Sequence, residues 1–278
     1  MSILEIDALV VEYRGKRRKS PAFRALDGVD LDVRRGETVG LVGESGSGKT
    51  TLGRAVLGLA PVTAGTIRFE GREIQSLRRR ERRGLARDMQ VVFQDPYSSL
   101  NPALTVSDIL SEPLRVHGTP AADARARIRE LLDQVGLPSD SGERYPREFS
   151  GGQRQRVAIA RALALRPKLV VCDEPVSALD LSTQARILDL LIEIQESTGV
   201  AYLFVSHDLS VVRHISHRVA VMYRGEIVEF GEGDQVTSSP AHPYTRTLLG
   251  AAPVADPARQ RERREAREAA LAAAREHA

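Results

Sequence analysis

Cysteine occurs once in this chain of 278 residues, at Cys172, and tryptophan not at all. A lone cysteine excludes an internal disulfide and any metal or iron–sulfur site built from the cysteines of one chain. Aromatic residues make up only 4% of the sequence, which leaves little surface for stacking bases. Neither sign of charge has a large excess: 40 Lys and Arg face 37 Asp and Glu, for a net charge of +3. So small an imbalance is the ordinary result of a solvated surface, and no nucleic-acid partner is expected. No apolar run approaches the ~18 residues that suggest a membrane span. The opening Met1-Ser2-Ile3-Leu4-Glu5-Ile6-Asp7 has neither the basic start nor the apolar stretch of a secretory signal. These absences point to a cytosolic protein, long enough for one large core or two smaller ones. There is no internal repeat.

What is present is organised around Gly43-Glu44-Ser45-Gly46-Ser47-Gly48-Lys49-Thr50, which has the spacing G-x-x-x-x-G-K-[ST] of a phosphate-binding loop. It follows the apolar Thr38-Val39-Gly40-Leu41-Val42 and precedes Thr51-Leu52-Gly53-Arg54-Ala55-Val56-Leu57, which suits a helix. Strand, glycine-rich turn and helix are the context the motif needs. Glycines let backbone N–H groups turn toward a phosphate chain, and the helix N-terminus adds partial positive charge. Lys49 would reach the β- and γ-phosphates, and the Thr50 hydroxyl would ligate Mg²⁺.

Read in order, residues 3–13 suit an opening strand, followed by a basic loop at 14–20. Residues 25–33 alternate apolar and polar as a second strand, and 66–69 form a short one between Gly65 and Gly71. The arginine-rich 78–83 reads as a solvated helix face, and 89–93 as another buried strand with Gln94 at its end. The turn formers Asp95-Pro96-Tyr97-Ser98-Ser99-Leu100-Asn101-Pro102 mark a boundary. Helical patterns then run to about residue 166, clearest at 121–135 and 152–165, which suggests a helical subdomain inserted into an α/β core. Strands return at 168–172 and 200–205, with a helix at 183–197 between them and a closing hairpin at 218–223 and 226–230. Such alternation predicts a largely parallel sheet covered on both faces. Pro257 onward is Ala, Arg and Glu, with no chemistry assigned to it.

Two further constellations narrow the chemistry. Leu169-Val170-Val171-Cys172 runs into Asp173-Glu174. An aspartate at the end of a buried strand can hold the Mg²⁺ shell, and the following glutamate can orient and polarise an attacking water. Ser150-Gly151-Gly152-Gln153 opens a helix containing Arg154, Arg156 and Arg161, with Ser150 as N-cap and open N–H groups for an anion. One nucleotide does not obviously need two phosphate devices in one chain. Two copies, or two related chains, could pair head to tail and share each nucleotide.

In this order and at these spacings the chain resembles an ATP-binding cassette (ABC) ATPase over about residues 1–253. The resemblance implies an α/β P-loop NTPase (RecA-like) core at about 1–94 and 167–235, with an antiparallel β subdomain. It places the inserted helical subdomain at about 95–166, a C-terminal extension at about 236–253 and a charged tail at 254–278. Residues 43–50 match Walker A, Gln94 the Q-loop glutamine, and Ser150, Gly151, Gly152 and Gln153 the signature, with Phe149 where leucine is commonest. Asp173 and Glu174 match the Walker B aspartate and catalytic glutamate, Ser177-Ala178-Leu179-Asp180 the D-loop, and His207 the switch histidine. ATP would be held by Tyr13, Gly43, Glu44, Ser45, Gly46, Ser47, Gly48, Lys49, Thr50, Thr51, Gln94 and Asp173, with residues 150–153 closing on it from a second subunit. Mg²⁺ would sit at Thr50, Gln94 and Asp173, and the catalytic groups would be Glu174, His207 and Lys49. Phe23 competes with Tyr13 for the adenine-stacking role.

The stretch from Val92 to Pro102 and the later Pro240-Ala241-His242-Pro243-Tyr244-Thr245 are similar to oligopeptide/dipeptide-type importers. The tail could be mechanically no more than a proline-rich turn capping the core. Some relatives carry iron–sulfur cysteines near that end, and none occurs here. The implied function is ATP hydrolysis powering an importer of oligopeptides or dipeptides, or of nickel or another small solute. The implied partners are a second ABC ATPase subunit, two integral-membrane permease subunits and an extracytoplasmic solute-binding protein acting through them. That places the chain on the cytoplasmic face of the membrane. A soluble cassette ATPase acting on DNA or the ribosome, and a small-molecule kinase, remain as alternatives of other classes.

Overall fold

The computed structural model describes residues 1–13 and 22–251. In chain order the strands are β1 (Ser2–Tyr13), β2 (Phe23–Arg34), β3 (Thr38–Val42), β4 (Ala64–Phe69), β5 (Arg72–Glu73), β6 (Met89–Val92), β7 (Leu169–Asp173), β8 (Ala201–Ser206), β9 (Arg218–Tyr223) and β10 (Glu226–Glu232). The helices are α1 (Lys49–Val56), α2 (Arg79–Leu85), α3 (Pro96–Ser99), α4 (Val106–Val116), α5 (Ala121–Gln134), α6 (Gly151–Leu163), α7 (Leu181–Thr198), α8 (Leu209–Ile215), α9 (Gly233–Ser238) and α10 (Pro243–Ala251).

Among the described residues these strands form two sheets. One is antiparallel in the order β2-β1-β4-β5. The other runs β10-β9-β3-β8-β7-β6, parallel throughout except for the β9–β10 hairpin. Period-two alternation sends the side chains of the parallel strands into two different cores. Leu169, Val171, Leu203, Val205, Ala220 and Met222 face one core, together with Leu52 and Val56 of α1 and Leu4, Ile6 and Leu9 of β1. Val170, Cys172, Tyr202, Phe204, Val219 and Val221 face the other, shared with α4 to α8. Because both faces are covered, these strands read as continuous apolar runs, as expected for parallel sheet.

Gly40 lies where α8 crosses β3. A Cβ there would sit 2.2 Å from Val212 Cγ1 and 2.4 Å from Ser216 Oγ, so the helix approaches the strand only because the side chain is missing. Between β6 and β7 the described residues hold α3 to α6 and two short 3₁₀ turns, without a strand. The segment at 14–20 that reads as a basic loop and the charged tail at 254–278 lie outside the described residues.

Two expectations change. Within the arginine-rich 78–83, Arg78 caps α2, and Arg78, Arg80, Glu81 and Arg83 are exposed as a solvated face would be, but Arg82 turns inward: its guanidinium donates to the carbonyls of Ile74 (2.9 Å) and Gln75 (3.1 Å). The residues after Pro240 are more than a turn, since α10 continues from Pro243 to Ala251 with Leu248 and Leu249 against the second core.

Candidate active site

The C-terminal ends of β3, β8, β7 and β6, neighbours in that order, carry residues 43–50, His207, the Asp173-Glu174 pair and Gln94. The crevice outside the carboxyl ends of parallel strands is where open α/β sheets bind ligands.

Between β3 and α1 the chain makes a tight loop whose last residue, Gly48, has φ 111. A Cβ on Gly48 would meet the Ala25 carbonyl oxygen at 2.7 Å and Leu26 Cδ2 at 2.9 Å, so both its conformation and its surroundings require glycine. The Gly225 amide donates to the Ser47 carbonyl (2.9 Å), and the Glu44 amide donates to the Tyr244 hydroxyl (3.2 Å). Lys49 is buried, and its Nζ donates to the carbonyls of Gly43 (2.7 Å) and Glu44 (2.8 Å). Burial pushes the Lys49 pKa below its ordinary value, and the nearby Glu174, Asp173 and Glu44 charges oppose that. Ser47 Oγ is buried without a hydrogen-bond partner among the described residues, although natural proteins satisfy nearly all such atoms. Ser45 and Gly46 are exposed at the tip, and Thr51 is half-buried in the first turn of α1.

Across the crevice, Thr50 Oγ1 donates to Asp173 Oδ1 at 3.1 Å. Burial, the largest influence, raises the Asp173 pKa against the opposing hydrogen bond from Thr50. Glu174 follows with φ 49, a left-handed conformation that costs a non-glycine residue about 1–3 kcal/mol. The turn lets its amide donate to the Val205 carbonyl of β8 (3.0 Å) and brings Oε2 to 3.2 Å from His207 Nδ1. His207 itself is largely exposed, and the Asp208 carboxylate beside it caps α8 through the Ser210 amide (2.8 Å).

Ser150 caps α6 by accepting from the Gln153 amide (3.3 Å), while Gln153 Oε1 accepts from the Ser150 amide (2.9 Å). The helix start packs on the segment after Glu174: a Cβ on Gly152 would lie 2.4 Å from Thr183 Cγ2, and one on Gly151 3.5 Å from Leu179 Cδ2. Asp180 caps α7 through the Thr183 amide (3.0 Å), and Leu181 beside it is 84% exposed. Among the described residues no hydrogen bond joins residues 150–153 to residues 43–50 within the chain. Gln94 is exposed and likewise unconnected to Thr50 or Asp173.

Tyr13 and Phe23, alternatives in the sequence, are direct cross-strand partners at the end of the β1–β2 pair. Opposed residues of an antiparallel pair share a face, so both aromatics belong to the same side of the strand pair. Sequence reasoning missed the Arg154 guanidinium, which lies 4.0 Å above the Tyr97 ring and links α6 to the segment after Gln94. It also missed the Tyr244 hydroxyl at the phosphate loop, although Tyr244 lies in a motif the sequence singles out.

Residues 26–177, more than half of the chain, match the family described as ABC transporter. The chain belongs to this family. Residues 228–277 of the cassette also match the oligopeptide/dipeptide transporter C-terminal region. It is 54% identical over 244 residues to the oligopeptide transport ATP-binding protein OppD of Mycobacterium tuberculosis, covering 88% of this chain and 40% of that protein. It is 55% identical over 248 residues to the glutathione import ATP-binding protein GsiA of Escherichia coli, covering 89% of this chain and 40% of that protein. The cassette therefore spans about two-fifths of the length of these curated relatives. Among solved structures it is similar to cbiO1 from Clostridium perfringens, part of an ABC transporter complex, with TM-score 0.77 and 28% identity over 86% of this chain and 91% of that one. A dimeric ATP-binding cassette in a post-hydrolysis state, bound to ADP and Pi, matches with TM-score 0.73 and 31% identity over 82% of this chain and 98% of that one.

Proposed function

We propose that this cassette binds and hydrolyses ATP as the energising subunit of an importer for peptides or peptide-like solutes. The observation that carries the reading is the convergence of Thr50 on Asp173 and of His207 on Glu174 beside the phosphate loop. The loop is also chemically suited to an anion. Lys49 spends two of its three donors on loop carbonyls, and the buried Ser47 hydroxyl has no partner, so phosphate oxygens would take the remaining lysine donor and the serine hydroxyl. Thr50 and Asp173 offer the hard oxygen donors that Mg²⁺ takes when a substrate phosphate and waters complete its shell. When bound, the ion offsets negative charge on the phosphates.

Each residue then has a distinct task. The backbone of residues 43–48 and Lys49 bind and orient the triphosphate. Glu174 Oε2 orients a water in line with the γ-phosphorus and accepts its proton as the oxygen attacks and the bond to the ADP oxygen breaks. His207 fixes the Glu174 carboxylate and reaches toward the γ-phosphate from the end of β8. Tyr13 or Phe23 stacks on adenine. Gln94, at the boundary of the helical segment, reports the state of the site to that segment.

Gly151 and Gly152 leave open amides at the start of α6, and residues 150–153 make no bond to the cassette's own loop, which supports a site closed by a second, related subunit. Among the described residues no helix is long and apolar enough to cross a membrane. In this reading transport runs through permease subunits, with the cassette at the cytoplasmic face and a solute-binding protein on the far side. The names of the relatives, one for oligopeptides and one for glutathione, favour peptides as cargo. The deciding experiment is Glu174→Gln: ATP binding persists while turnover falls by about 10²–10⁴-fold. Hydrolysis at the wild-type rate in that variant would reject the assignment.

A further inference from the structure

Tyr244 belongs to the C-terminal extension, yet its hydroxyl accepts a hydrogen bond from the Glu44 amide at the phosphate loop (3.2 Å). The two residues are 200 positions apart. What seats the tyrosine there is a short chain of contacts. Glu229 on β10 accepts from the amides of Ala241 (2.7 Å) and His242 (3.0 Å), which fixes the start of the extension. His242 Nδ1 accepts from the Tyr244 amide (3.2 Å), which sets the first turn of α10. The Tyr244 ring then packs against Tyr223, the last residue of β9, with centroids 4.2 Å apart. Burial pushes the Tyr244 phenol pKa up, so the hydroxyl stays neutral.

The amide that Tyr244 holds is the one that follows Gly43, and the Glu44 carbonyl on the same residue receives Lys49. Rotation of the peptide planes at this position changes which loop groups face a phosphate and how tightly Lys49 is tied to the loop. A partner on the Glu44 amide therefore biases the loop between its present arrangement and the one a nucleotide needs.

We propose that Tyr244 is a positioning residue that makes ATP affinity depend on how the C-terminal extension is seated. This rests on the reading of residues 43–50 as an ATP site. The coupling is reciprocal: whatever binds or displaces residues 240–245 changes ATP affinity, and ATP changes its hold on them by the same factor.

The test is equilibrium titration of the full chain with ATP and with ADP, with the melting temperature read without nucleotide. Tyr244→Phe keeps the ring against Tyr223 and removes only the hydroxyl. The expected result is a roughly three- to tenfold change in Kd for ATP, the effect of one hydrogen bond, with a cooperative nucleotide-free melt whose Tm falls by no more than a few degrees. Glu229→Ala, which touches no loop atom, is expected to shift Kd in the same direction, and the double variant to shift it no further than Tyr244→Phe alone. Normal ATP binding by the unsubstituted chain together with an unaltered Kd in Tyr244→Phe would overturn this inference and leave the site assignment standing. Failure of the unsubstituted chain to bind ATP would overturn both.

Discussion

Glu174 Oε2 and His207 Nδ1 meet at 3.2 Å across the ends of β7 and β8, 33 residues apart in sequence. Glu174 reaches that point from a left-handed backbone, φ 49, and its amide is spent on Val205 of the neighbouring strand. Two strands and one strained residue thus hold a carboxylate beside an imidazole at the mouth of the crevice. If His207 positions Glu174, its loss should slow chemistry more than binding. His207→Ala is expected to lower kcat by about 10²-fold or more and to change the KM for ATP little. Steady-state kinetics at saturating Mg·ATP checks this, and a change confined to KM would assign His207 to ground-state binding.

Much of this arrangement was legible in the sequence, for a physical reason. Strands buried on both faces, such as β7 and β8, carry no charged residue until they emerge, so Asp173 and His207 mark the strand ends. The phosphate loop is equally local, because its conformation is set by glycines within a few residues of one another. The contacts that stayed hidden are those that depend on tertiary register. Nothing near Tyr244 reveals that its hydroxyl ends at Glu44, and Tyr13 and Phe23 compete as alternatives until strand pairing sets them side by side. The helix α4 is obscured by Pro113 in its interior, which removes a backbone donor, while Thr105 still caps its start through the Asp108 amide (3.2 Å).

Asp173 should trade stability for function. Its pKa is raised in the folded state, chiefly by burial, so folding favours the protonated form. The native state then binds more protons than the unfolded one, and stability declines as pH rises above the ordinary carboxylate value. At neutral pH the buried charge is a cost that Asn does not carry, while Asn Oδ1 still accepts from Thr50. Asp173→Asn is expected to raise the nucleotide-free Tm at pH 7 and to lower ATP turnover by at least tenfold. Thermal melts across the acidic range should show the stabilisation growing as pH rises above the ordinary carboxylate value and levelling once Asp173 is ionised in the folded state.

Gly152 tests the packing of α6 on α7. Alanine in a helix is worth about 0.5–1 kcal/mol over glycine, but here its Cβ would fall 2.4 Å from Thr183 Cγ2. Overpacking of this kind costs about 1–3 kcal/mol, so Gly152→Ala should be destabilising in net terms. Thr183→Ser removes Cγ2, and in that background Gly152→Ala should become neutral or stabilising. A double-mutant cycle from urea unfolding measures the coupling directly.

The last relationship lies at the opposite end of the sheet. Arg218, at the start of β9, donates to Glu37 Oε1 (2.6 Å) and to Asp32 Oδ2 (2.9 Å), and its guanidinium lies 4.6 Å from the Phe230 ring centroid. Arg218 and Glu37 are 8% and 6% exposed, so removing the cation strands a buried carboxylate. Arg218→Met is expected to cost about 3–5 kcal/mol, more than most surface ion pairs are worth. The Asp32 pKa is held below its ordinary value, first by the hydrogen bond from Arg218. A depressed carboxylate stabilises the fold above the unfolded-state value and loses that contribution as pH falls through the folded one. The difference between wild type and Arg218→Met should therefore be largest at neutral pH and narrow below about pH 4, where the unfolded-state aspartate takes up its proton. Urea midpoints at pH 7 and pH 3.5 measure the narrowing. A gap that stays constant with pH would show that Arg218 stabilises by packing on Phe230 rather than through its carboxylates.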